Sequence, residues 1–264
     1  MLNGTVRRIA MTGGLLLAVL CSPLAAQAAD QPAAQAAGAT PQPIVQQAAL
    51  DLLKKMSDTL KAAPAMTLSV IDFREVPTTQ GQMITLVTNA DVTVKRPNSF
   101  LAEAVVNGVP TTFSYDGKTF SILDKAKNVY VSEPVASETL DAFFKRLDEA
   151  HGIQFSIADF LSSDPYAALT AKLENAYDVG DTVIDGITTT HLVFSAPGIE
   201  WQVWIDPATA LPRLFAAAYT DMPREPRFLV SFRAVDINAK PAAGAFTFTP
   251  PKDARAITFL PAHP

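Results

Sequence analysis

Apolar residues recur at helical spacing between positions 45 and 60: Val45, Ala48, Ala49, Leu52, Leu53, Met56 and Leu60. That period places them on one face, so the chain predicts an amphipathic helix ending before Pro64. From Met66 the period changes to two. Ile84, Leu86, Thr88, Ala90, Val92 and Val94 alternate with Thr85, Asn89, Asp91, Thr93 and Lys95, and only Val87 blurs the polar side. This is the mark of a long strand with one face buried. Asn107-Gly108 and Asp116-Gly117 separate further strand-like runs, and both dipeptides accept the positive φ that a tight hairpin turn needs. A looser turn at Asp124 to Asn128 leads into Val129-Tyr130-Val131, so the first half reads as an antiparallel meander of about six strands.

A helical interlude follows. Ser137 is the expected cap of a helix whose Leu140, Phe143, Phe144 and Leu147 share a face and which ends at His151-Gly152. Ser156 is expected to cap a short turn through Phe160-Leu161, and Asp164-Pro165 opens a helix through Tyr166, Leu169 and Leu173. Strands then resume. Asp185-Gly186 joins Thr182–Ile184 to Ile187–Phe194, Pro197-Gly198 leads to Trp201–Asp206, and Leu214–Tyr219 and Phe228–Ile237 complete a second meander. One curved sheet holding helices in its concavity fits this pattern, and so do two smaller domains.

The first residues read as an export signal. Arg7 and Arg8 precede a mostly apolar run from Ile9 to Leu20, and Ala26-Gln27-Ala28 gives the small-x-small pattern of a cleavage site. Residues 1–28 are therefore expected to be a signal peptide, 29–43 a flexible Ala-, Gln- and Pro-rich leader, and 44–264 the folded domain. The apolar run is too short for a stable membrane span. Cys21 is the one cysteine. It stands where bacterial lipoproteins are acylated, but the preceding Leu20 is not the small residue normally found there. Cleavage after Ala28 would remove it and leave a mature protein without disulfide, thiol nucleophile or cysteine-bound metal. At roughly 235 residues, that protein is long enough for one large or two small domains. The formal charge of -5 argues against nucleic acid or an acidic lipid surface as partner.

No known catalytic pattern surfaces. There is no G-x-S-x-G elbow, phosphate loop or dinucleotide glycine fingerprint. His151, His191 and His263 are scattered, and Asp178, Asp181 and Asp185 lack the alternating ligands of a calcium loop. No cofactor, metal or catalytic residue is expected, and the chain does not read as an enzyme.

Certain motifs do carry a resemblance. Lys95-Arg96-Pro97-Asn98-Ser99-Phe100, then Asp116-Gly117-Lys118-Thr119-Phe120, then Trp204-Ile205-Asp206-Pro207 with Leu211, Pro212 and Arg213, and finally Phe246-Thr247-Phe248-Thr249-Pro250-Pro251 occur in that order. The chain thereby resembles the LolA/LolB-type periplasmic lipoprotein carriers, within an uncharacterised predicted-periplasmic branch. The resemblance implies an α+β fold: a single unclosed antiparallel β-barrel of about eleven strands wrapping a few helices. It implies a periplasmic carrier-like binding protein whose partner is an apolar ligand (lipid, fatty acid or acylated protein). The alternative is an envelope sensor or interaction module that uses the same fold on a protein partner. Arg96 falls where the carriers have an arginine that latches the helical lid, and Phe100 where they have a sheet phenylalanine important for cargo transfer. Phe73, Val92, Val94, Phe113 and Phe120 on the sheet, with Phe143 and Phe144 on the lid helix, are the candidate cavity lining. Ala102 stands where the carriers continue with a tryptophan, and Ser121 where an aromatic is common. These departures lead one to expect a narrower or differently shaped cavity.

Overall fold

The computed structural model describes residues 42–259. The signal-peptide assignment, most of the leader, Cys21 and His263 lie outside them. Helix α1 (Gln47–Ala62) buries Ala49, Leu53, Met56, Ser57 and Leu60, a face at helical spacing. Six strands follow: β1 (Ala65–Pro77), β2 (Met83–Lys95), β3 (Ser99–Val106), β4 (Val109–Tyr115), β5 (Thr119–Asp124) and β6 (Val129–Pro134). After helices α2 (Leu140–His151), α3 (Ala158–Leu161) and α4 (Pro165–Leu169) come β7 (Asn175–Ile184), β8 (Ile187–Ala196), β9 (Ile199–Asp206), β10 (Leu211–Ala218), β11 (Arg227–Asp236) and the short β12 (Arg255–Ala256).

All twelve strands form one sheet in the order β12-β6-β5-β4-β3-β2-β1-β11-β10-β9-β8-β7. The long β1 joins the two meanders, pairing with β2 along its length and with β11 on its other edge. Every pairing is antiparallel except the two-residue contact of β12 with β6. The sheet wraps the helices without closing, so the architecture is an α+β unclosed half-barrel. The start of β7 is covered where Val45 makes a parallel bridge to Ala176, and Arg255 and Ala256 lie along β6, which shields part of its edge from pairing with another chain.

The sheet's inward face follows from register. Cross-strand partners share a face, so Met66, Val94, Phe100, Tyr115 and Phe120 form one inward row, and Leu68, Val92, Ala102, Phe113 and Ile122 the next. The stripe of α2 packs on the first row. Phe143 stacks on Tyr115 with centroids 3.8 Å apart, and Phe144 meets Phe100 edge-on at 5.4 Å. The buried Tyr115 hydroxyl accepts from the Ser137 amide at 2.9 Å and donates to its carbonyl at 3.3 Å, so its burial leaves nothing unpaired.

Several local expectations are corrected. Thr139, not Ser137, caps α2, because its hydroxyl reaches the Ala142 amide at 3.2 Å while the Ser137 backbone is engaged by Tyr115. Ser156 caps nothing: α3 begins after Ile157, and the Ser156 side chain is bonded to β1. Helix α4 stops at Leu169, short of Leu173, although Asp164 caps it through the Ala167 amide and Pro165 occupies its first turn. Trp201 and Trp204, three residues apart on β9, face opposite ways. Trp201 is buried against Phe194, and Trp204 is half-buried beneath the ring of His191 on the outer face.

The β9–β10 turn is held by Asp206. Its carboxylate accepts from the amides of Ala208 and Thr209 at 2.9 and 3.4 Å, the Thr209 hydroxyl at 2.8 Å and Arg213 at 3.4 Å. Burial alone would raise its pKa, but these donors together hold it below the ordinary carboxylate value. A depressed carboxylate contributes stability that is present above its unfolded pKa, about 3.9, and is lost as pH falls through the lower folded value. Asp206→Asn is expected to cost about 1–2 kcal/mol at pH 7 and to flatten the acid limb of a urea-denaturation series. An unchanged acid limb would remove Asp206 from that role.

Candidate functional site

From the second inward row onward, toward the β1–β2 hairpin, inward side chains on β2 and β3 become small. Ala90 pairs with Ala104 across β2 and β3, and Ala102 lies opposite Val92. Three alanines on adjacent inward positions leave space that larger residues would fill. Over them passes the segment Ile153–Ile157, which follows the left-handed Gly152 (φ 64°) at the end of α2. A glycine there turns the chain sharply without the cost a Cβ would carry. Between alanine floor and crossing segment lies a hollow of about 250 Å³, walled mainly by Leu86, Val92, Val106, Phe113, Phe155 and Ile157.

The crossing segment also forms the wall of a larger, more open cleft of about 740 Å³. Arg74, Ile153, Gln154, Phe155 and Ser156 line both spaces. A third space of about 870 Å³, between β5, β6 and the C-terminal segment Ile257–Phe259, again touches Ile153. One short run of chain thus partitions the concavity.

At the mouth of the hollow the inward stripe of β1 turns polar. Asp72 and Arg74 are two residues apart and so share the inner face with Val70. Ser156 Oγ donates to Asp72 Oδ2 and accepts from Arg74 Nη2 at 2.7 Å, and the guanidinium lies 4.0 Å from the carboxylate. Arg74 also sits over the Phe228 ring at 5.8 Å.

Arg96, just past the end of β2, reaches the helices. Nη1 donates to the carbonyls of Leu161 and Ser162 at 2.9 and 2.8 Å, and Nη2 to that of Leu60 at 3.4 Å. It therefore ties the C-terminal ends of α1 and α3 to the sheet, where a cation also complements the helix dipoles. Burial lowers its pKa, which the negative charge of Asp141 partly offsets.

The candidate residues are distributed unevenly. Val92 and Phe113 line the hollow. Val94, Phe100, Phe120 and Phe143 are fully buried in the aromatic layer under α2 and line no open space there. Phe144 packs on Phe100 and borders the larger cleft. Phe73 is the clear correction: the two-residue period of β1 turns it outward, 36% exposed, opposite Val87 and Leu229 on the convex face. Ala102, one of the departures behind the expectation of a narrower or differently shaped cavity, borders the hollow with a small side chain. The sequence reading missed Ala90, Ala104, Phe155 and the Asp72–Arg74–Ser156 group. An inward Asp and Arg on an otherwise apolar stripe was the available signal for the last.

Among the described residues, no three His, Cys, Asp or Glu side chains gather as a metal site, and no helix is long and apolar enough to cross a membrane. The family described as predicted periplasmic protein (DUF2092) matches residues 49–260. No curated protein matches the chain. Among solved structures, lipoprotein LppX of Mycobacterium tuberculosis is similar at 17% identity, over 73% of this chain and 100% of that one, with a TM-score of 0.44. LprF of Mycobacterium bovis shares 14% identity over 80% and 99% of the two chains, with a TM-score of 0.44. A LolA superfamily protein of Nitrosomonas europaea shares 10% over 76% and 97%, with a TM-score of 0.35. These likenesses concern the course of the chain alone and say nothing of what is bound.

Proposed function

We propose, from the premise that the chain belongs to the DUF2092 family of predicted periplasmic proteins, that it is a periplasmic binding protein which shelters an apolar ligand inside its half-barrel. The observation that carries this reading is the hollow floored by Ala90, Ala102 and Ala104 and covered by Ile153–Ile157. An apolar space of this kind stabilises hydrocarbon by about 0.8 kcal/mol for each methylene removed from water. Binding needs no covalent chemistry, and no residue is assigned a catalytic role.

Size decides how the site works. At about 250 Å³ the hollow is just below the range of about 300–1,000 Å³ usual for small-molecule sites. A short chain fits as the protein stands. A longer one enters if Ile153–Ile157 swings on Gly152 and joins the hollow to the spaces beside it. Arg96, holding the ends of α1 and α3, biases the closed arrangement.

The test is to purify the protein from its native envelope and analyse solvent extracts by mass spectrometry. The expected result is one class of alkyl-chain molecule in near-stoichiometric amount. Extracts free of lipid, together with one protein crosslinked in equal amount, would replace this reading with that of an envelope interaction module.

A further inference from the structure

The polar group at the mouth of the hollow restricts which apolar molecule fits, an inference that rests on the binding function proposed above. Asp72 Oδ2 is engaged by Ser156, but Asp72 Oδ1 is buried and has no hydrogen-bond partner. A buried acceptor left unpaired is costly, and a ligand group that donates to it recovers that cost. Arg74 lines the same hollow and brings N–H donors to the same end. Donor and acceptor therefore stand side by side, and as an ion pair their charges cancel.

We infer that the hollow takes a single-chain amphiphile with a neutral head that both donates and accepts hydrogen bonds, a hydroxyl or amide, in preference to a free carboxylate or phosphate. The head donates to Asp72 Oδ1 and accepts from Arg74, while the tail runs over Ala90 and Ala102 toward Phe113. A carboxylate head has no proton for Oδ1 and faces it with a second negative charge. The adjoining cleft reinforces the choice, since Asp141, Asp148, Asp159 and Asp164 outnumber Arg74 and Lys145 along its lining. Burial also pushes the pKa of Asp72 above the ordinary carboxylate value, against the bond from Ser156 and the charge of Arg74, as expected of a carboxylate short of partners.

The test is displacement of the neutral probe N-phenyl-1-naphthylamine by two ligands of equal chain length, monodecanoylglycerol and decanoate, at pH 7.5. The glyceride is expected to bind at least about tenfold more tightly, the effect of the hydrogen bond to Oδ1 that a carboxylate cannot make. Asp72→Asn keeps an acceptor for Ser156, removes the charge and puts an N–H donor in the place of Oδ1. It is expected to improve decanoate binding by about tenfold and to weaken the glyceride by about threefold or more, because its head loses the Oδ1 acceptor. Equal affinities, a preference for decanoate, or no response of decanoate to Asp72→Asn would overturn the head assignment and leave apolar binding standing. Displacement by neither ligand would overturn both.

Discussion

Ala102→Trp is expected to weaken binding of an apolar ligand by about a hundredfold while the protein stays folded. Ala102 is a buried floor residue whose side chain points into open space between β2, β4 and Phe155. An indole there occupies the volume that hydrocarbon would otherwise take. Excluding only three or four methylenes costs about 2.5–3 kcal/mol, which is the hundredfold. Adding bulk to a packed core usually costs about 1–3 kcal/mol of stability, but here the added atoms enter a hollow, and a smaller change in unfolding midpoint follows. Titration with a fluorescent alkyl probe, paired with urea denaturation, separates the two quantities. Unchanged affinity in a folded Ala102→Trp protein would show that ligand does not occupy this hollow. Ala104→Leu, on the neighbouring inward position, is expected to act in the same direction with a smaller effect.

The contrast between Ala102 and Phe100 shows how far the sequence reaches. Alternation along Ile84–Val94 identified the inward face of β2 residue by residue, because a half-buried strand allows only one assignment of its two faces. The six-strand first meander and the face of α2 were legible for the same reason. What alternation does not report is whether an inward residue meets another side chain or empty space. Phe100 and Ala102 are two apart on one strand and equally inward, yet the first is packed under Phe143 and Phe144 while the second borders the hollow. That difference is set by where α2 ends and by how Ile153–Ile157 crosses the sheet, and those depend on contacts remote in sequence. Phe73 failed for a simpler reason. Hydrophobicity suggested an interior place, but Asp72 and Arg74 hold the inward positions of β1, and the chain keeps its period at the expense of an exposed ring.

Arg96→Met is expected to lower stability by about 2–4 kcal/mol and to loosen the helices before the sheet. Charge-assisted hydrogen bonds contribute about 1.5–3 kcal/mol each. Arg96 makes two of good length, to Leu161 and Ser162, and a longer third to Leu60. The sum is reduced because desolvating a guanidinium is costly and its Nε is buried without a partner. Methionine keeps much of the stem's packing and removes every donor, so the loss falls on the helix ends. Amide exchange at Phe160 and Leu161, whose N–H groups bond the Ile157 carbonyl, is expected to quicken by about tenfold more than exchange in β1 and β2. Arg96→Lys should recover only part of the loss, because a single ammonium cannot span carbonyls on two helices as the planar fork does. If Arg96 biases the closed state, the methionine variant also takes up a long-chain probe faster than the parent protein in stopped-flow mixing. Faster exchange confined to α3 with unchanged uptake would leave Arg96 a structural tie and move the gate to Gly152. Uniform acceleration across sheet and helices would mean that the half-barrel opens only by unfolding as a whole.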